Sequence, residues 1–226
     1  MKYFSFLLIT LGFLTVSSCT TTRPLKSDVK PSEVTDLQYF EPFSYISLIE
    51  TGNRAKYNDT ISKKSEELLL NVVNKFGGKI PVTGIISVSD TITKNKLEKE
   101  IEFLFLSADR TKNISNLKIT PIIDSLIAAN GKRFGLITVG TGFTRAKGNY
   151  GGQIAKGAAI GILTLGMYVQ TPIKSSSVIY VMIVDIKQNN VAFFKKSILQ
   201  DKDPLDEAVL KKQFQRIFEG YFWSKE

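Results

Sequence analysis

The chain has 226 residues, 30 Lys and Arg against 21 Asp and Glu, a formal charge of +9, no histidine and one cysteine. The missing histidine excludes Ser-His-Asp and Cys-His nucleophilic sites and histidine-based zinc sites, and a lone cysteine excludes an intramolecular disulfide. The length suits one domain with a sizeable core; carboxylate-pair and Ser-Lys chemistry stay open on composition alone.

In chain order, Met1-Lys2-Tyr3 supplies one positive charge, and an apolar run from Phe4 to Val16 follows. The run is too short to span a bilayer, which takes about 20 residues, and has the length of a signal-peptide core. It ends in Val16-Ser17-Ser18-Cys19, which resembles the bacterial lipobox: an aliphatic residue, two small residues, then the cysteine. The resemblance implies that residues 1–18 are a signal peptide, that cleavage precedes Cys19, and that the thiol carries diacylglycerol. More than one acyl chain is needed for stable attachment, and an amide-linked chain usual in such proteins meets that need. Thr20 stands where Asp retains many lipoproteins in the inner membrane, so the expected location is the outer membrane, on either face.

In the envelope the anions facing the surplus charge are lipid headgroups, lipopolysaccharide phosphates and peptidoglycan carboxylates; a nucleic-acid partner is not expected. The cations are scattered in pairs (Lys63-Lys64, Lys132-Arg133, Lys195-Lys196, Lys211-Lys212), the pattern of a solvated surface.

Residues 19–43 read as a lipidated, flexible tether, because prolines 24, 31 and 42 punctuate a polar stretch. The domain expected over 44–226 opens with a strand from Ser44 to Glu50. A helix starts at Asp59-Thr60, places Ile61, Leu68, Leu69, Val72, Val73 and Phe76 at helical spacing, and stops at Gly77-Gly78. Pro81 to Val88 is β-branched and suits an edge strand. Asp90 or Thr91 caps a second helix with Leu97, Ile101, Leu104 and Phe105 as its stripe. A third, with Pro121 in its first turn, ends at Asn130-Gly131. Phe134–Val139 and Ser177–Asp185 read as buried strands, with a polar turn at Gln188-Asn189-Asn190 and a return from Val191 to Phe194. Asp203-Pro204 opens a final helix. The order indicates an α/β (α+β) fold: one mixed sheet with packed helices.

The segments "IIDSLIAANGKRFGLITVGTGF" and "SSVIYVMIVDIKQNNVAFFKKS", the latter followed by an amphipathic helix, resemble periplasmic and outer-membrane lipoproteins of the TolB amino-terminal and curli-secretion-channel type. There a strand ending in Asp, a tight polar turn and a returning strand precede a last helix. The resemblance implies a non-enzymatic role in envelope transport or assembly, or in a secretion pore. Asn189-Asn190 stands where a Thr-Gly turn and a following Trp are usual, so no functional residue carries over.

The glycine-rich insertion 148–172 leaves three readings open: an excursion with a small helix, a self-association surface, or a membrane-inserting segment. Gly157 and Gly161 have the GxxxG spacing that lets helices approach closely and are the candidate residues for self-association or membrane contact. Expected partners are the membrane through the lipid, and a second copy or another envelope protein. No cofactor or metal is expected: Gly140-Thr141-Gly142 follows a strand, but Arg145 takes the third glycine position of a dinucleotide fingerprint. Arg145 and Lys147, beside Tyr150, are candidates for binding an anion or glycan. Thr60, Thr91 and Ser125 lie in Asp-Thr/Ser-aliphatic triplets that resemble an O-glycosylation sequon, and the first two also suit helix caps. Trp223, with Phe218, Tyr221 and Phe222, is expected to pack the last helix rather than stack on sugar. The functional reading is a non-enzymatic, outer-membrane-anchored assembly or transport accessory. The alternative is a monomeric module binding an anionic envelope ligand, a glycan or lipopolysaccharide.

Overall fold

The computed structural model describes residues 19–21, 24–76, 78–164 and 172–224; the expected signal peptide, Gly77 and the end of the glycine-rich insertion lie outside them. The chain forms one mixed nine-stranded sheet between helical layers. Its strands are β1 (Cys19–Thr21), β2 (Leu25–Lys26), β3 (Leu37–Phe40), β4 (Phe43–Ile49), β5 (Lys56–Tyr57), β6 (Val82–Ile86), β7 (Phe134–Arg145), β8 (Ser176–Asp185) and β9 (Asn190–Gln200). The helices are α1 (Asp59–Lys75), α2 (Thr91–Arg110), α3 (Pro121–Ala129), α4 (Asn149–Leu163) and α5 (Glu207–Phe218).

β7 is the spine. Along one side it pairs antiparallel with β8, from Phe134↔Asp185 to Phe143↔Ser176. Along the other it pairs parallel first with β3 and then with β4. The break between those two falls at Glu41-Pro42, where proline removes a ladder donor. Outside it the sheet divides, β6 adding to β3 and β5 to β4. β9 lies beyond β8, and β1 and β2 pair along its outer edge.

Because helices cover both faces, the central strands read as apolar runs without alternation. Ile179, Val181 and Ile183 of β8 face one core with Leu69, Val72 and Val73 of α1 and Leu210, Phe214 and Ile217 of α5. Met182 and Val184 face the other, with Leu97, Ile101, Leu104 and Phe105 of α2 and Ile123 and Ile127 of α3. Trp223 stacks on Phe76 with ring centroids 5.8 Å apart, closing the first core as expected.

Caps set the helix starts. Asn58 accepts from Ile61 N at 3.1 Å and Asp90 from Thr93 N at 2.7 Å, so Thr60 and Thr91 lie within the first turns and do not cap. Asp206 caps α5, while Asp203 turns the chain just before it through Leu205 N.

Three expectations need correction. The stretch read as a flexible tether is built into the body: β2 pairs Leu25 with Phe194, β3 is a sheet strand, and Val29, Val34, Leu37 and Tyr39 are core residues. β7 runs on to Arg145 rather than stopping at Val139, and β9 runs to Gln200 rather than Phe194. In both cases polar or glycine residues continue a ladder whose hydrogen bonds are already fixed by β8.

Candidate functional site

Two surface features stand out, one on a face of the sheet and one at its end. The first lies where α2 leaves β4, β7 and β8 partly uncovered. Tyr45, Val139, Thr141 and Tyr180 form the floor and Ile101, Phe105 and Leu106 the wall of a groove of about 640 Å³. Phe105 meets Tyr180 edge-on at 6.0 Å. Tyr45 donates its hydroxyl hydrogen to Glu98 Oε1 at 2.6 Å. Burial, and then the Glu98 carboxylate that accepts its proton, hold that phenol well above the usual tyrosine range. Glu98, Glu102 and Asp109 make the rim acidic, with Lys99 among them; Asp109 pairs with Lys196, whose ammonium lies 5.9 Å from the Tyr180 ring centre. Apolar floor and carboxylate rim suit an apolar body carrying a positive group.

The second feature is the end of the sheet where β7 and β9 finish and β8 begins. A cleft of about 400 Å³ there is lined by Arg145, Lys147, Tyr150, Lys174, Lys202, Asp201, Asp203 and Asp206, among others. The acids are turned back onto the fold. Asp201 accepts from Lys174 N at 2.8 Å, Asp203 from Leu205 N and Thr144 Oγ1, and Asp206 from the first turn of α5. Lys147, Lys174 and Lys202 are exposed and make no ion pair among the described residues.

The sequence-derived candidates separate here. Arg145 is a clamp: its guanidinium donates to Ile173 O at 2.9 Å, Gly52 O at 3.1 Å, Asn149 Oδ1 at 2.7 Å and Asn53 Oδ1 at 2.9 Å. It ties the loop after β4, the first turn of α4 and the entry to β8, which leaves anion binding at this cleft to Lys147 and its neighbours. Gly157 and Gly161 are buried in α4, yet that helix gives no residue to either core among the described residues. Gly140 and Gly142 serve the sheet rather than a phosphate. Gly142 has φ +145, and a Cβ there would stand 2.0 Å from Ser176 O. Thr60, Thr91 and Ser125 are exposed, and Ser125 Oγ donates to Pro121 O at 2.8 Å. Cys19 opens β1 opposite Leu199.

The groove was not legible beforehand. Tyr45 and Glu98 are far apart in sequence, and no local pattern announces their meeting. Asp185, noted only as a strand end, has its partner in Arg133 through hydrogen bonds of 2.9 and 2.6 Å.

Comparison of the sequence with models of protein families gives no match, and comparison with curated proteins gives none. Among solved structures the chain is similar to a PelC dodecamer from Paraburkholderia phytofirmans, at 8% identity and TM-score 0.41 over 92% of this chain and 100% of that one. A DUF4136 family protein from Bacteroides thetaiotaomicron gives 9% and 0.33 over 88% and 94%. The LpoB C-terminal domain from Salmonella enterica gives 9% and 0.29 over 77% and 87%. Values this low assign no family and transfer no residue.

Proposed function

We propose that this chain is an outer-membrane lipoprotein, acylated at Cys19, that works without catalysis as an accessory to envelope assembly or transport by holding another protein or a second copy of itself. The anchor rests on Val16-Ser17-Ser18-Cys19 after an apolar run. The observation that carries the partner is the groove beside α2. Apolar side chains line an open groove there, Leu106 half exposed and Tyr180 partly so above the buried Phe105 and Val139, and concave apolar surface of this kind suits a ligand or partner. Phe103, elsewhere on α2, is more exposed than Leu106 of the groove wall.

The test is the molar mass of the lipidated protein in mild detergent, by light scattering. A discrete oligomer that Leu106→Asp dissolves is expected for self-association. A monomer that recovers a stoichiometric envelope protein, lost in Leu106→Asp, is expected for a separate partner. A monomer whose behaviour Leu106→Asp leaves unchanged contradicts the reading.

The basic cleft favours the second reading, a monomeric module for an anionic glycan or lipopolysaccharide. There Lys147, Lys174 and Lys202 converge while the neighbouring carboxylates are engaged by the backbone. Calorimetric titration with lipopolysaccharide tests it: saturable binding that falls when Lys147 and Lys202 become Gln supports it, and no heat contradicts it.

A further inference from the structure

Four observations meet at one end of the molecule. Cys19 lies in register with Leu199, near the finish of β9, and β2 is paired to the same strand a few residues later. The acylated residue is therefore joined to the sheet with almost no slack, and the end of the sheet must lie at the height of the lipid. At this same end Arg145 fastens the start of α4, whose far turn exposes Ile162 at 77% and Leu163 at 83%. Ile154, Ile160 and Ile173 are exposed as well. α4 carries one charged residue, Lys156. Around its base stand Arg54, Lys56, Lys147, Lys174 and Lys202, all exposed; the acids among them are Glu50 and the backbone-bound Asp201, Asp203 and Asp206.

A helix with cations at its base and an exposed apolar far turn suits a segment lying in the headgroup layer, apolar side chains inward and cations at the anionic surface. Among the described residues no helix is long and apolar enough to cross a membrane, so the contact is interfacial.

We infer that α4 and its base form a second, lipid-independent membrane contact, in which Ile162 and Leu163 enter an anionic leaflet and the lysines at the base of α4 bind its headgroups. The orientation rests on acylation of Cys19; the surface chemistry does not. The opposite end, at the β8–β9 hairpin around Lys187, then points away from the bilayer, about 30 Å off by the length of β9.

Acylation blocks the thiol of Cys19, so a cysteine placed elsewhere can be labelled selectively. The lipidated protein is reconstituted in vesicles of phosphatidylethanolamine and phosphatidylglycerol, with an environment-sensitive fluorophore at Leu163→Cys or at Lys187→Cys. A blue shift at position 163 and none at 187 is expected; equal spectra at both overturn the inference. In parallel, the Cys19→Ser chain from residue 19 onward is floated with the same vesicles and with phosphatidylcholine alone. It is expected to bind the anionic vesicles, to lose about tenfold in binding with Leu163→Asp, and to release at high salt. No flotation, or flotation that Leu163→Asp leaves unchanged, overturns the contact. Mass analysis of Cys19 reports separately on acylation: an unacylated Cys19 with intact flotation removes the anchor and leaves the surface.

Discussion

Asp185 has no exposed surface, and its carboxylate is held by Arg133 on one side and by the N–H groups of Lys187 and Gln188 on the other. It closes the β8–β9 turn and fastens the start of β7 to that hairpin. Removing the carboxylate leaves the N–H groups of Lys187 and Gln188 without their acceptor and Arg133 with only Glu33 at 4.0 Å, a change that costs about 2 kcal/mol. Asp185→Ala is therefore expected to lower the urea unfolding free energy by about that amount, and a loss below about 1 kcal/mol would show the pair to be incidental. Glu66 links stability to pH. Burial raises its carboxyl above the ordinary 4.5 although Ser44 N donates to it. With the folded value above the unfolded one, the fold favours the protonated form. Stability from this group is full below 4.5 and is lost as pH rises through the raised value. Glu66→Gln should flatten stability across that window, measured by thermal unfolding from acid to neutral pH; an unchanged pH profile would contradict it. Neither role could be read from sequence, because each depends on a partner brought up by the sheet.

At the scale of elements, strands rich in β-branched or apolar residues were legible, β4 and β6 as well as β8, and glycine-rich or sparsely apolar ones were not. β8 is an unbroken apolar run because α1 and α5 cover one side and α2 the other. The outer half of β7, Gly140-Thr141-Gly142, looks like a loop in sequence. It is a strand because its neighbours on both sides crowd it: a Cβ at Gly140 would sit 2.8 Å from Ser44 Oγ of β4, and one at Gly142 would meet the Ser176 carbonyl of β8. Gly142→Val is expected to break the β7–β8 ladder and leave the protein insoluble on expression; a soluble variant of unchanged thermal midpoint would contradict this. The supposed tether was misread for a related reason. Its apolar residues, Val29, Val34 and Leu37, are too widely spaced to form a pattern, yet each is buried. Trypsin should accordingly spare Lys26, paired with Phe193 in the ladder, in the native protein, while rapid cutting there would restore the tether. In α4 a Cβ at Gly151 or Gly152 meets open space, and an exposed helical Gly→Ala change is worth about 1 kcal/mol. Changing both to Ala should slow hydrogen exchange in α4 while the global unfolding midpoint stays in place, since among the described residues α4 joins neither core.

For the whole molecule, the α/β class followed from the order of periodic segments, and the cleft at the sheet end was foreshadowed by Arg145 and Lys147. Arg145 proved to be the clamp that builds that end, which the residue type alone could not distinguish from a ligand contact. The groove beside α2 came only with the fold. What unites the parts is the position of Cys19, the first residue of β1, on the edge strand β9. The proposed anchor, the lysines and the base of α4 lie at one end of the sheet, and the acid-rimmed groove occupies the sheet face beside α2. The most direct measurement is the intact mass of the protein recovered from the envelope fraction. It should show a chain beginning at Cys19 with diacylglyceryl and amide-linked acyl additions, and neither addition in Cys19→Ser. A chain beginning elsewhere, or one beginning at Cys19 without lipid, would contradict the account.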